Sequence, residues 1–247
     1  MATYEEEISM ELKRWQKQMM RRPSVMGKLA ANIQTRMNRL IPEKLHKAIT
    51  ETIKQMIRAV LFGAKHTTKE QPLEDNLEIR EAIVQDRIDF YKKTAAAEGG
   101  ITGAGGILLG LVDFPLLLGL KLKLLFEIAS IYGYPVKDYK ERVYILYIFQ
   151  LAFSSAEKKG EVYQRILHWE TEHKDLPDDI NQFDWRTFQQ EYRDYIDLAK
   201  LAQLIPVIGA PVGAVVNYQL IKKLGKTAMN AYRMRNESIQ KTLAPGL

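Results

Sequence analysis

The chain has 247 residues, no cysteine and a formal net charge of +6. The absence of thiols excludes disulfides, thiolate nucleophiles and cysteine-based zinc sites, and it favours a reducing, cytosolic setting. The charge is uneven: from Met10 to Lys69 fourteen Lys and Arg face three acids, Glu11, Glu43 and Glu51, whereas the rest of the chain sums to −5. A basic segment of this size points to an anionic partner, either phospholipid headgroups or nucleic acid.

The opening MATYEEEISMELKRW lacks the apolar stretch of a signal peptide, so none is expected and the protein is placed on the cytoplasmic side. Residues 5–40 have helical periodicity, with Ile8, Leu12, Trp15, Met19, Met26, Leu29 and Ile33 near one stripe and an interruption near Pro23. A second helix starts at Pro42, repeats Leu45, Ile49, Ile53, Met56, Ile57, Val60 and Leu61 at three- and four-residue steps, and ends near Gly63. The polar KHTTKEQPLEDN is the best linker, dividing a basic amphipathic arm (1–70) from a helical bundle (71–247). A helix resumes at Leu77 and runs to Glu98, with Ile79, Ile83, Ile88 and Tyr91 as its expected inner face. The next one stops at Gly133, ahead of Pro135, and KERVYILYIFQLAFSS forms a strongly apolar successor. Residues 156–183 read as a short helix plus a loop. Residues 184–204 read as a helix capped by Asp184, and a second small-residue apolar run then feeds a basic helix. No strand alternation or Asn-Gly hairpin turn occurs. The expected fold is all-α: a multi-helix bundle with two Gly/Pro-rich apolar central helices or hairpins behind the basic arm.

Those two runs set the main question. Residues 99–120 carry Asp113 as their only charge, and residues 201–221 carry none. Both reach the roughly 20 residues of a membrane span, yet Pro115, Pro206 and Pro211 interrupt them and lysines flank both ends, against the asymmetry of a single pass. The spacings Gly99/Gly103, Gly106/Gly110 and Gly209/Gly213 allow close helix packing. Burial in a bundle is therefore expected ahead of re-entrant insertion, and insertion ahead of a true span. A lone carboxylate in such a run needs a partner. Arg193, on the charged helix EYRDYIDLAK, is the expected one, with Asp197 completing an ion pair or network.

Other chemistry is sparse. Asp113, Glu191 and Asp194 are the acid/base candidates for an enzyme reading. His168 and His173 flank WETE, but five-residue spacing parts them around a helix, so no metal site is expected. GGITGAGG lacks the Lys-Ser/Thr and the preceding strand of a phosphate loop, and no G-x-S-x-G elbow occurs; no cofactor is expected. Among the aromatic residues Trp15 lies amid basic residues and is read as an interfacial anchor beside Lys13, Arg14, Lys17, Arg21 and Lys28, the set expected to meet anionic lipid. Tyr132, Tyr134, Tyr139, Tyr144, Tyr147, Trp169 and Trp185 are read as core residues with bonded polar tips.

The ordered segments TGAGGILLGLVDFPLLLGLKLKLLFEIASIYGY, ERVYILYIFQLAFSS, WRTFQQEYRDYIDLAKLAQLIPVIGAPVGAVVNYQL and LGKTAMNAYRMR resemble the EcsC family from about Trp15 to Arg235. The resemblance implies a family with no established biochemical activity and no assigned catalytic residues, encoded beside the subunits of an ABC transporter linked to secretion, competence and peptide handling. Together with the basic arm it gives the expected function: an accessory protein on the cytoplasmic side of the membrane, peripheral or partly inserted, with an anionic lipid surface and ABC transporter subunits as partners. An enzyme on lipid or peptide substrates is the alternative class. Nucleic acid ranks third, because no reading motif accompanies the charge.

Overall fold

Helix starts follow local signals. Thr3, Asn76, Asp138, Asp184 and Asn236 each accept a backbone N–H from the first turn of the helix they precede, answering donors that have no partner within the helix. Thr3 does so in a full capping box, in which the Glu6 carboxylate accepts the Thr3 N–H in return. In the computed structural model, which describes residues 3–21, 43–63, 74–103, 106–196 and 210–243, these signals open a fold of ten α-helices without a strand among those residues.

The helices are α1 (Tyr4–Met20), α2 (Glu43–Arg58, running into a π-helical turn Ala59–Gly63), α3 (Leu77–Gly103) and α4 (Gly106–Ile131). They continue as α5 (Tyr139–Phe153), α6 (Lys159–Leu167), the single turn α7 (Trp169–Glu172), α8 (Trp185–Tyr195), α9 (Ala210–Arg233) and α10 (Glu237–Leu243). Every residue of α5 except Lys140 is buried, as suits a helix apolar on all sides. Around it, α3 and α4 form an antiparallel hairpin and α9 lies antiparallel along α3, so one end of α3 meets the far end of α9.

The first apolar run is divided between two helices: α3 ends at Gly103 and α4 begins at Gly106, and α4 then continues through Pro115. No helix of the described residues is long and apolar enough to cross a membrane. The second run enters the described residues only at Ala210, where α9 starts. Gly99 and Gly103 close α3, Gly106 and Gly110 open α4, and Gly213 lies in the first turn of α9, with their packing outside the described residues, as is Gly209 altogether. The close approach within the described residues involves a different glycine. A methyl group on Gly225 of α9 would stand 2.6 Å from the Cδ1 and Cγ1 of Ile88 on α3.

α4 terminates as expected at Gly133, whose φ of 86° suits glycine, and its N–H and that of Tyr134 reach the Ser130 and Ala129 carbonyls in a Schellman arrangement. Two expectations need correction. α8 stops at Tyr195 and not near 204, because Ile196 turns extended and bridges Ser154 at the end of α5. The inner face of α3 is Leu77, Glu81, Val84, Ile88 and Tyr91, with Ile79 half exposed, since Glu81 is drawn inward by Arg233 and two tyrosine hydroxyls. The arm contributes to the common core: Ile8, Leu12 and Trp15 of α1 and Ile49, Ile53 and Met56 of α2 join the same apolar cluster as α3 to α9. The boundary at 70/71 falls outside the described residues.

Ile88 is β-branched and buried, so it cannot easily retreat from a new methyl group. Gly225→Ala should lower stability by about 1–3 kcal/mol through overpacking, and pairing it with Ile88→Ala should recover part of that loss in urea denaturation.

Candidate functional site

Where the first turns of α3 meet the end of α9, the apolar stripes carry charged residues. Arg233, the last residue of α9, is 5% exposed and grips Glu81 of α3 with two parallel bonds, Nε to Oε1 at 2.8 Å and Nη2 to Oε2 at 2.6 Å. Its remaining Nη1 donates to Glu11 of α1 at 3.0 Å and to Asn230 at 3.2 Å. Glu81 also accepts the hydroxyls of Tyr4 at 2.7 Å and Tyr132 at 2.8 Å. Burial tends to raise the Glu11 carboxyl, but bonds and charge from Lys226 and Arg233 outweigh it and hold its pKa below the ordinary range.

A second cluster lies two residues further on, just past the end of α9. Arg235 donates to the buried Glu141 of α5 at 2.8 Å and to Glu170 at 2.8 Å, with its guanidinium 3.9 Å from the Tyr134 ring centre and 4.5 Å from that of Tyr144. Tyr232 donates to Glu141 at 2.8 Å, and Tyr144 to the Ala231 carbonyl at 2.9 Å. Burial raises the pKa of Glu141 despite Arg235 and Tyr232.

Near the middle of α4, Lys121 is fully buried. Its ammonium donates to the Leu117 carbonyl at 3.2 Å and to Asn217 of α9 at 3.1 Å, and burial lowers its pKa from 10.5 to about 7. No described carboxylate pairs with it.

The residues singled out from sequence are dispersed. Glu191 is a surface partner of Arg165 at 3.2 Å, and Arg193 lies 3.4 Å from its neighbour Asp194, with Glu191, Arg193 and Asp194 all half exposed or nearly so. The side chain of Asp113, and Asp197 altogether, lie outside the described residues. His168 and His173 each turn Nδ1 to a carbonyl of their own helical segment, Gln164 and Trp169, and no metal-binding group exists among the described residues. Lys13, Arg14, Lys17 and Arg21 are exposed at α1, while Lys28 lies outside the described residues. Trp15 corrects the lipid-contact set. It is 5% exposed and stands edge-on to Tyr163, with ring centres 5.7 Å apart, because it shares the buried stripe of Ile8 and Leu12. The tyrosines do behave as core residues with bonded hydroxyls.

The residues that sequence reasoning missed had a visible signal. Lys121 falls among Leu117, Leu118, Leu124 and Leu125, and Glu81 among Leu77, Val84 and Ile88, so each is a charge set within an apolar helical stripe.

The model of the EcsC protein family matches residues 6–236, a span that takes in both ionic clusters from Glu11 to Arg235. The chain belongs to the EcsC family. It is 43% identical to Protein EcsC of Bacillus subtilis (strain 168) over 229 residues, covering 92% of this chain and 94% of that one. It is 31% identical to the uncharacterized protein YdbA of the same organism over 191 residues, covering 76% and 68%. No solved structure matches the chain. For this EcsC-family protein the features built among the described residues thus include two ionic clusters and the fully buried Lys121.

Removing one member of the buried pair strands the other, so Arg233→Met should cost about 3–5 kcal/mol. In a double-mutant cycle, combination with Glu81→Gln should lose clearly less than the sum of the single losses. Lys121 has a distinct pH signature. Between about pH 7 and pH 10.5 the unfolded chain keeps a proton that the folded chain has released, so stability rises with pH across that window and is lost as the pH falls through about 7. Urea denaturation at about pH 7 and about pH 9 should show the wild type gaining roughly 2 kcal/mol relative to Lys121→Met; parallel curves would refute the assignment.

Proposed function

We propose that this EcsC-family protein is a non-enzymatic accessory protein that attaches peripherally to an anionic membrane surface on the cytoplasmic side, where it serves an ABC transporter in secretion or peptide handling. The observation that carries the membrane part is the sorting of α1. Its apolar stripe of Ile8, Leu12 and Trp15 is held in the core, while Lys13, Arg14, Lys17 and Arg21 remain exposed toward its C-terminal half. Three of the four acids of α1, Glu5, Glu6 and Glu7, gather at the other end, where the helix dipole favours them, and the fourth, Glu11, is held by Lys226 and Arg233. The transporter part rests on the family resemblance alone.

This sorting supports electrostatic docking over insertion. Each Lys or Arg near an anionic surface contributes about 1 kcal/mol, so four give about 4 kcal/mol, a dissociation constant near 1 mM. Such attachment is reversible and calls for a second contact, in the way that single lipid anchors do. Leu116 of α4 and Val215 of α9, 52% and 62% exposed, lie toward the glycine-rich end of the bundle and are available for a transporter subunit or lipid. The enzyme reading draws no support from Glu191 and Asp194, which sit in exposed surface ion pairs.

In sedimentation with vesicles, the protein should bind phosphatidylglycerol-rich membranes and not pure phosphatidylcholine. Raising salt from ~0.1 M to ~0.5 M should release it as screening shortens the reach of its charges. Reversing Lys13, Arg14, Lys17 and Arg21 to Glu together should abolish binding while leaving the helical circular dichroism intact. Equal binding to neutral vesicles, or binding indifferent to salt and to these substitutions, would overturn the proposal.

A further inference from the structure

α2 and α8 pack side by side, and the stripes flanking their contact form a groove. The core-facing residues of α8 are Phe188 and Tyr192. The adjoining stripe carries Arg186, Gln189, Gln190 and Arg193 at three- and four-residue steps, and it faces Thr50, Ile53 and Lys54 of α2 across a cavity of about 310 Å³. Trp185 completes the wall.

The charges of this groove are sorted. Lys54, Arg186 and Arg193 line it, and no carboxylate does so among the described residues. The acid of α8 that pairs with another helix, Glu191, points to the opposite side, to Arg165 of α6. Carboxylates do touch two of the cations, but from outside the lining: Glu51 stands 3.6 Å from Lys54 and Asp194 3.4 Å from Arg193, both exposed pairs of the kind that contributes little. Arg186 stands by the Trp185 ring, 5.7 Å from its centre. A second groove, of about 210 Å³ between α3 and α9, is also rich in cations but differs in one respect. There Glu11 lines the cavity itself and bonds two of the four lining cations, Lys226 and Arg233, at 3.0 Å each, and Arg233 is also held by the buried Glu81.

We propose that the groove between α2 and α8 is a binding site for a phosphate ester. Two guanidinium groups and an ammonium supply more positive charge than a single carboxylate ligand would use, and guanidinium forks match phosphate oxygens. The Gln189 and Gln190 amides and the Thr50 hydroxyl add neutral donors. Ile53 and the Trp185 ring form an apolar side for the carbon skeleton next to the phosphate. The volume is that of a small-ligand site. The phosphate ester has two sources, a lipid headgroup or a free metabolite, and α1 contributes nothing to the lining. The site therefore stands apart from the membrane-docking face of α1.

Trp185 provides the readout, since the other two tryptophans, Trp15 and Trp169, are buried. The full chain is titrated with glycerol 3-phosphate and, separately, with dihexanoyl phosphatidylglycerol below its micelle concentration. Binding should change the Trp185 fluorescence, and Trp185→Phe should remove that signal. Arg186→Gln with Arg193→Gln should weaken binding by about tenfold or more, whereas the α1 charge-reversal variant should bind as the wild type does. Saturation by both probes supports a site for phosphate esters in general, and saturation by the phosphatidylglycerol alone supports a headgroup site. Because Arg186 and Arg193 are at the surface, both variants should fold, and circular dichroism checks this. The proposal is overturned if neither probe binds, or if either binds the double variant as tightly as the wild type. Either result leaves the vesicle experiment on α1 unaffected.

Discussion

A guanidinium and a carboxylate taken out of water together set the register of this molecule. Neither Arg233 nor Glu81 is tolerable in the core alone, and the structure satisfies both. Arg233 places its donors on Glu81, Glu11 and Asn230, and Glu81 accepts from Arg233, Tyr4 and Tyr132. Four helices meet at this point: α1, α3, α4 and α9. Fixing the end of α9 against the start of α3 also fixes the remaining contacts along the pair, so that Gly225 comes to rest on Ile88 and Tyr218 beside Lys92. An apolar interface alone tolerates a slip of one turn more readily than a bidentate ion pair does, because the pair has one geometry in which no buried charge is left unanswered.

The same cluster governs what α1 can do. Glu11 and Tyr4 hold the helix on the bundle, and Ile8, Leu12 and Trp15 enter the shared core. A basic amphipathic helix with a free apolar face would insert into a bilayer. This one has its apolar stripe occupied by the core, and its outward side carries its charges together with Met10 and Met20. Elsewhere on α4 and α9 the opposite holds: Leu116 and Val215 are exposed, while Lys121 is fully buried. A buried lysine there weakens its own positive charge, since burial brings its pKa to about 7.

Much of this was legible in the residues. The all-α class, the stops and starts at Gly133, Asp184 and Leu77, and the apolar stripe of α2 follow from periodicity and capping, which act within a few residues of the chain. Periodicity also groups Trp15 with Ile8 and Leu12, and that grouping correctly puts it inside, against the reading of it as a lipid anchor. What periodicity reports is which residues share a face. It does not report whether that face meets protein, solvent or lipid, so it assigns Ile79 inward and passes over Glu81.

The sequence by itself determined the helical class, the basic N-terminal segment, the absence of thiol chemistry and the family. Those properties depend on composition and on neighbours three and four residues apart. The tertiary structure alone decided that the first apolar run divides between α3 and α4, that Arg233 reaches Glu81 across 152 positions of sequence, and that three cations gather between α2 and α8. Each of these depends on which helices come to lie side by side. That choice is made by whole-surface complementarity and by the need to pair every buried charge, and no local window of the chain contains it.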